Sequence, residues 1–159
     1  CGMKVRTFNF QDMKDNWEAR LMVEQFCAVP AVERVRHDED FVKHIQDILD
    51  ISNHEYGKCI ADFTKENFNL LTEHDRMLHT ELVKCSRNQQ IMNMYNSLNA
   101  HSCMFAGYGC HTPKTLRQVQ DQHTEIVNQL LLCDVDGLRK ALESHIYSTV
   151  QIYRSAWKE

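Results

Sequence analysis

Apolar positions recur every three to four residues through most of the chain, and strand-like alternation is hard to find, so the pattern predicts a nearly all-α protein. A first helix is expected over residues 11–28 on Met13, Trp17, Leu21, Val23 or Glu24, and Cys27 or Ala28, with Pro30 marking its end. Phe41, Ile45, Ile48 and Leu49 predict a second over 38–52. Asp38 is its cap, Glu39 and Asp40 suit its first turn, and residues 53–57 should loosen or break it. A third helical region runs through Phe63, Phe68, Leu70 and Leu71 into a segment over 75–85. Residues 86–88 break it, and Asn88 caps a helix bearing Ile91, Met94, Tyr95 and Leu98 that extends as far as Met104 or Phe105, before a loop at Gly107 and Gly109. Thr112 and Pro113 open a helix with its apolar face on Leu116, Val119, Ile126, Val127, Leu130 and Leu131. Asp134 caps the last, striped by Leu138, Ala141, Leu142, Ile146, Thr149 and Ile152 or Tyr153.

Several polar residues fall in phase with these stripes. Asp75 and His79 stand one turn apart on a face shared or bordered by Leu78, Leu82 and Val83. Taken alone, such a pair more often marks a helix-surface hydrogen bond or a satisfied core histidine, because nine histidines and 22 acidic residues produce the spacing by chance. His123 changes the picture, standing seven residues after Leu116 and seven before Leu130, and His145 shares the stripe of the last helix. An unpaired imidazole in a core costs on the order of 1–3 kcal/mol, so repeated placements argue for a shared purpose. In an antiparallel bundle Asp75, His79, His123 and His145 can converge on one divalent metal, zinc first, with nickel, manganese, iron or copper also suited. Periodicity fixes a face and not a height, so separately hydrogen-bonded histidines remain the alternative. Arg20 and Glu24, also one turn apart, read either as a surface ion pair or as a cavity-facing arginine with its partner. His44, Asp47 and His54 read as solvated. Cys110 and His111, with His101 and Cys103 nearby, are a poor second metal site because adjacent residues on a loop do not converge on one ion.

Composition narrows the class. A chain of 159 residues suits one compact domain, and five glycines with two prolines suit helices. The net charge of −4 is dispersed in both signs, which excludes an electrostatic footprint for a phosphate backbone. No apolar run reaches membrane-spanning length. Seven cysteines, at positions 1, 27, 59, 85, 103, 110 and 133, include no C-x-x-C pair, and the expectation is reduced thiols, mostly small core residues, in a cytoplasmic protein. Residues 1–10 read as a leader or interdomain linker remnant, and the Cys1-Gly2 start suggests a trimmed tag or the cut end of a longer protein.

Three ordered segments carry a family resemblance: WEARLMVEQFCA at 17–28, DRMLHTELVKCSRN at 75–88 and QHTEIVNQLLLCDVDGLRKALESHI at 122–146. Together they resemble the FCD (FadR C-terminal) effector-binding domain of GntR-family transcriptional regulators, over most of residues 11–159. The resemblance implies an antiparallel bundle of six or seven helices around a central cavity, where Asp75, His79, His123 and His145 hold the metal. It also implies a small organic acid as effector, a sugar acid, hydroxy acid or dicarboxylate, clamped by Arg20, with Tyr95, Asn99 and Arg117 lining the cavity. Met77-Leu78 and Gln122 depart from the family pattern without removing a ligand. Family members pair as homodimers and reach operator DNA through a winged helix-turn-helix domain. About ten residues precede the first helix here, so the expectation is an excised or stand-alone effector domain that does not itself contact an operator. No catalytic residue is expected. The competing classes are a metal-dependent enzyme, for which no clear general acid or base stands beside the ligands, and a bundle with a purely structural metal.

Overall fold

Each helix starts where a short polar side chain takes up its first free amides. The computed structural model describes residues 9–98 and 107–156. Asn9 and Asp12 form a reciprocal capping box at the start of α1, Phe10–His37. Asp38 alone separates α1 from α2, Glu39–Ala61. One of its carboxylate oxygens accepts from Phe41 N at 2.9 Å and the other from Arg34 Nε at 2.9 Å. Thr64 caps α3, Lys65–Lys84, and Asn88 caps α4, Gln89–Ser97. A short 3-10 turn at Tyr108–Cys110 leads to α5, Pro113–Leu131, which opens on a Thr112–Thr115 capping box with proline in the first turn. Before α6, Val135–Ala156, Asp134 accepts from Gly137 N at 2.9 Å. The described residues hold six α-helices and no strand.

Two expected breaks are absent. Pro30 lies inside α1, which continues to His37. A proline within a helix costs about 3 kcal/mol through the lost hydrogen bond and the ring clash. Ala28, Ala31 and Val32 around it are buried to within 1% of complete, and their packing offsets that cost. The stretch 53–57 likewise stays helical, because Ser52, Glu55, Tyr56 and Cys59 continue the buried stripe of α2. Gly57 faces open space, so its price there is only the propensity of about 1 kcal/mol. The expected extension of α4 to Met104 or Phe105 lies outside the described residues.

Helices α1, α6, α5, α2 and α3 pack each against the next, and α3 returns to α1, which closes a ring around a central axis. The α2–α3 and α5–α6 hairpins are antiparallel, as their three-residue connections require. Contacts of α1 with α6 also run in opposite senses, with Trp17 against Tyr153 and Gln25 against Arg139. Contacts of α1 with α3 advance together instead, Glu24 meeting His79 and Cys27 approaching Val83 O. A smaller cluster of Val23, Cys27, Val83 and Tyr95 fastens α4 to the ring. Among the described cysteines, Cys27, Cys59 and Cys85 are buried and all are unpaired, as small core residues should be.

One end of the ring is covered by the turn before α5. Tyr108 stacks on Phe63 with ring centroids 4.8 Å apart and donates to Phe63 O at 3.0 Å. Gly107 has no space for a side chain because the Tyr153 ring and hydroxyl occupy it. No described helix is long and apolar enough to cross a membrane.

Leu142 is fully buried on α6, among the core residues of the ring. Leu142→Ala should lower the unfolding free energy by about 2–5 kcal/mol, read as a lower urea midpoint at unchanged slope.

Candidate metal centre

The core stripes deliver four ligand-type side chains to one height. Asp75 and His79 come from α3, His123 from α5 and His145 from α6, each at most 2% exposed. One donor atom from each lies within 4.8 Å of every other, making a group able to hold a metal ion. His79 Nε2 stands 3.3 Å from His123 Nε2, and His123 Nε2 stands 2.8 Å from Asp75 Oδ1. That last contact has an ion-pair distance without hydrogen-bond alignment. Both Asp75 oxygens therefore lack a hydrogen-bond partner among the described residues, as does His145 Nδ1. Acceptors without an aligned partner in a core cost several kcal/mol unless a cation, a proton or a water meets them. Donors about 2.1 Å from one ion stand at most about 4.2 Å apart, so this set closes on a metal with small movements.

A second layer of contacts fixes the imidazoles. Glu24 on α1 accepts from Arg20 Nε at 2.6 Å and from the Tyr95 hydroxyl at 2.9 Å, while its other oxygen lies 2.9 Å from His79 Nδ1. Burial alone would raise the Glu24 carboxyl, but the Arg20 guanidinium and His79 outweigh it and hold its pKa at about 2. An ionised Glu24 accepts the Nδ1 proton of His79, which leaves the Nε2 lone pair aimed into the cluster. The Tyr56 hydroxyl lies 3.4 Å from His123 Nδ1 and orients that ring from α2. Burial would also raise Asp75, but His123, His79 and Arg20 hold it well below the usual carboxylate range. His79 is pushed down by burial and by Arg20, and His145 is pushed well down by burial and by the other two imidazoles. Neutral imidazoles and ionised carboxylates are the forms that bind metals.

A cavity of about 30 Å³ opens beside the cluster, lined in part by Arg20, Tyr56, Asp75 and His145. Comparison with protein families matches residues 15–148 to the FCD domain. The chain belongs to the FCD domain family. This is the effector-binding domain of GntR-family regulators, a regulatory ligand-binding unit. Comparison with curated proteins finds no match.

Within this FCD domain the four residues proposed from core phase come together. Arg20 is buried, lines the cavity and pairs with a buried Glu24, so the surface ion-pair alternative is excluded. Tyr95 is buried too, but its hydroxyl reaches Glu24 from behind and it does not line the cavity. Arg117 is exposed on α5 in an outer groove with Lys114 and Asp121, because its neighbours Leu116 and Val119 take the inward face. Asn99, like His101 and Cys103, lies outside the described residues. The periodicity missed Tyr56, hidden in the stretch expected to break, and His111, which lines the cavity from the turn before α5. Helical phase carries no information about a residue on a turn.

Burial lowers His111 to about 4, beside the lowered His79 and His145. In chelator-treated protein these groups take up protons in the unfolded state before the folded one. Stability is then full above the ordinary histidine value of 6.5 and falls as pH drops toward 4. Glu24, ordinarily 4.5 and here about 2, adds a further loss across that lower window. Urea midpoints measured from pH 8 to 4 should be level above about 7 and decline steadily below 6.5; a level profile down to pH 5 would contradict the buried neutral imidazoles.

Proposed function

We propose that this domain senses a small organic acid at a divalent metal, most naturally zinc, held by Asp75, His79, His123 and His145, with Arg20 clamping the acid. In a homodimeric regulator, that event controls DNA binding by an attached winged helix-turn-helix domain. The convergence of three buried imidazoles and a buried carboxylate beside a buried arginine carries the reading. When bound, the metal supplies a Lewis-acidic cation that accepts carboxylate oxygen.

Charge balance supports an anionic effector. Arg20 contributes one positive charge to the buried layer, and Glu24 and Asp75 contribute two negative ones. The protein groups therefore sum to one negative charge. A divalent ion turns that into one positive charge, which a single carboxylate neutralises inside a low-dielectric core. The Arg20 Nε is engaged by Glu24, and this contact aims the guanidinium along the cavity wall.

Cavity size links binding to regulation. At about 30 Å³ the space suits one or two waters, so an organic acid enters only as the walls part. Five packed helices share those walls, and the ligand-bound arrangement of the bundle must differ from the closed one. Differential affinity for the two arrangements is what shifts the population.

Calorimetric titration of zinc-loaded protein with short hydroxylated and plain carboxylic acids should show binding that chelator abolishes. Arg20→Lys keeps the charge and loses the fork, and should weaken the acid about tenfold while leaving metal content unchanged. Acid binding that survives metal removal would overturn the proposal.

A further inference from the structure

The cavity has a second end. Along α3 its lining descends from Asp75 through Thr72 to Phe68, and along α6 from His145 through Thr149 to Tyr153. On α5 the same descent passes from His123 by Val119 to Leu116. Asp75 and Phe68 are seven residues apart, about 10 Å along a helix. Three layers result: the Asp–His layer, a middle layer with Thr72 and Thr149, and an aromatic layer. His111 sits in the last, its ring 5.3 Å from Phe68 and 5.6 Å from Tyr153. Its Nδ1 is buried and has no hydrogen-bond partner among the described residues.

We propose that Thr72, Thr149 and His111 form an uncharged polar subsite, about one to two helical turns below the Asp–His layer, that takes the hydroxyl end of a monocarboxylic hydroxy acid. This rests on the sensing reading above and narrows its ligand class. Thr72 Oγ1 already donates to Asn69 O at 2.8 Å, and Thr149 Oγ1 to His145 O at 3.0 Å. With its proton taken by a helix carbonyl, each hydroxyl has only lone pairs left for a ligand, which a ligand hydroxyl can meet as donor and a carboxylate cannot. Arg20 is the only Arg or Lys among the described lining residues, and it belongs to the metal end. Burial keeps His111 neutral at pH 7, so a second carboxylate at the far end meets no cation.

The test is a matched series differing only at the far end: hexanoate, 6-hydroxyhexanoate and adipate, titrated calorimetrically into zinc-loaded protein. The hydroxy acid should bind at least about tenfold tighter than either other acid. His111→Phe should reduce that preference below about threefold with metal content and helicity unchanged, and His111→Gln, which restores a hydrogen-bonding group, should retain it. Thr149→Val removes a hydroxyl from a helix-borne position and should erode the same preference if the His111 variant does not fold. Tighter binding of adipate, equal binding of all three, or a preference that survives both His111→Phe and Thr149→Val would overturn the subsite while leaving metal-dependent acid sensing intact. Failure of all three acids to bind would overturn the sensing reading and the subsite together.

Discussion

Two buried carboxylates held ionised against one buried guanidinium are the constraint on which this bundle depends. Burial opposes ionisation of both Glu24 and Asp75, yet Arg20 and the facing imidazoles keep their pKa values low. Glu24 is fully satisfied by Arg20, Tyr95 and His79, three partners from three helices. Asp75 meets His123 Nε2 at an ion-pair distance of 2.8 Å but has no aligned hydrogen bond among the described residues. A core that carries such an imbalance loses several kcal/mol unless a cation or a water meets it. The fold thus holds a rigid, satisfied half and an unsatisfied half directed at the cavity, and the second half is where chemistry can enter.

The Asp–His layer is built wholly on helices, whereas the far end of the cavity adds to its helical walls one side chain from a turn, His111. Spacing of one turn on α3 fixes Asp75 relative to His79, and the antiparallel α5–α6 hairpin fixes His123 relative to His145, with ring centroids 4.6 Å apart. His111 instead arrives on the segment that covers one end of the ring, held by Tyr108 on Phe63 and by the close approach of Gly107 to Tyr153. Metal-type geometry gains from helical rigidity, whereas ligand selection tolerates variation in a turn.

Much of this was legible in the sequence because packing in a helical bundle obeys one period. His123 and His145 stood out because a core position asked for an apolar side chain and received an imidazole. Asp38, Asn88 and Thr112 marked helix starts through cap chemistry that depends only on near neighbours. What failed to show was decided by tertiary burial: Pro30 and Gly57 look like breaks until their neighbours Val32 and Tyr56 are seen in the core. Depth was equally hidden. Arg117 has the right chemistry for a cavity and the wrong face, and the layering of Thr72 with Thr149 exists only once α3 and α6 are set side by side.

The proposed function requires the Asp–His layer to hold a metal ion. Elemental analysis after gel filtration tests it most directly, with the protein run beside a His123→Ala/His145→Ala variant whose helicity has been checked. About one divalent ion per chain is expected in the protein and almost none in the variant. A protein that retains no ion even after reloading with zinc, or a variant that keeps a full complement, would contradict it.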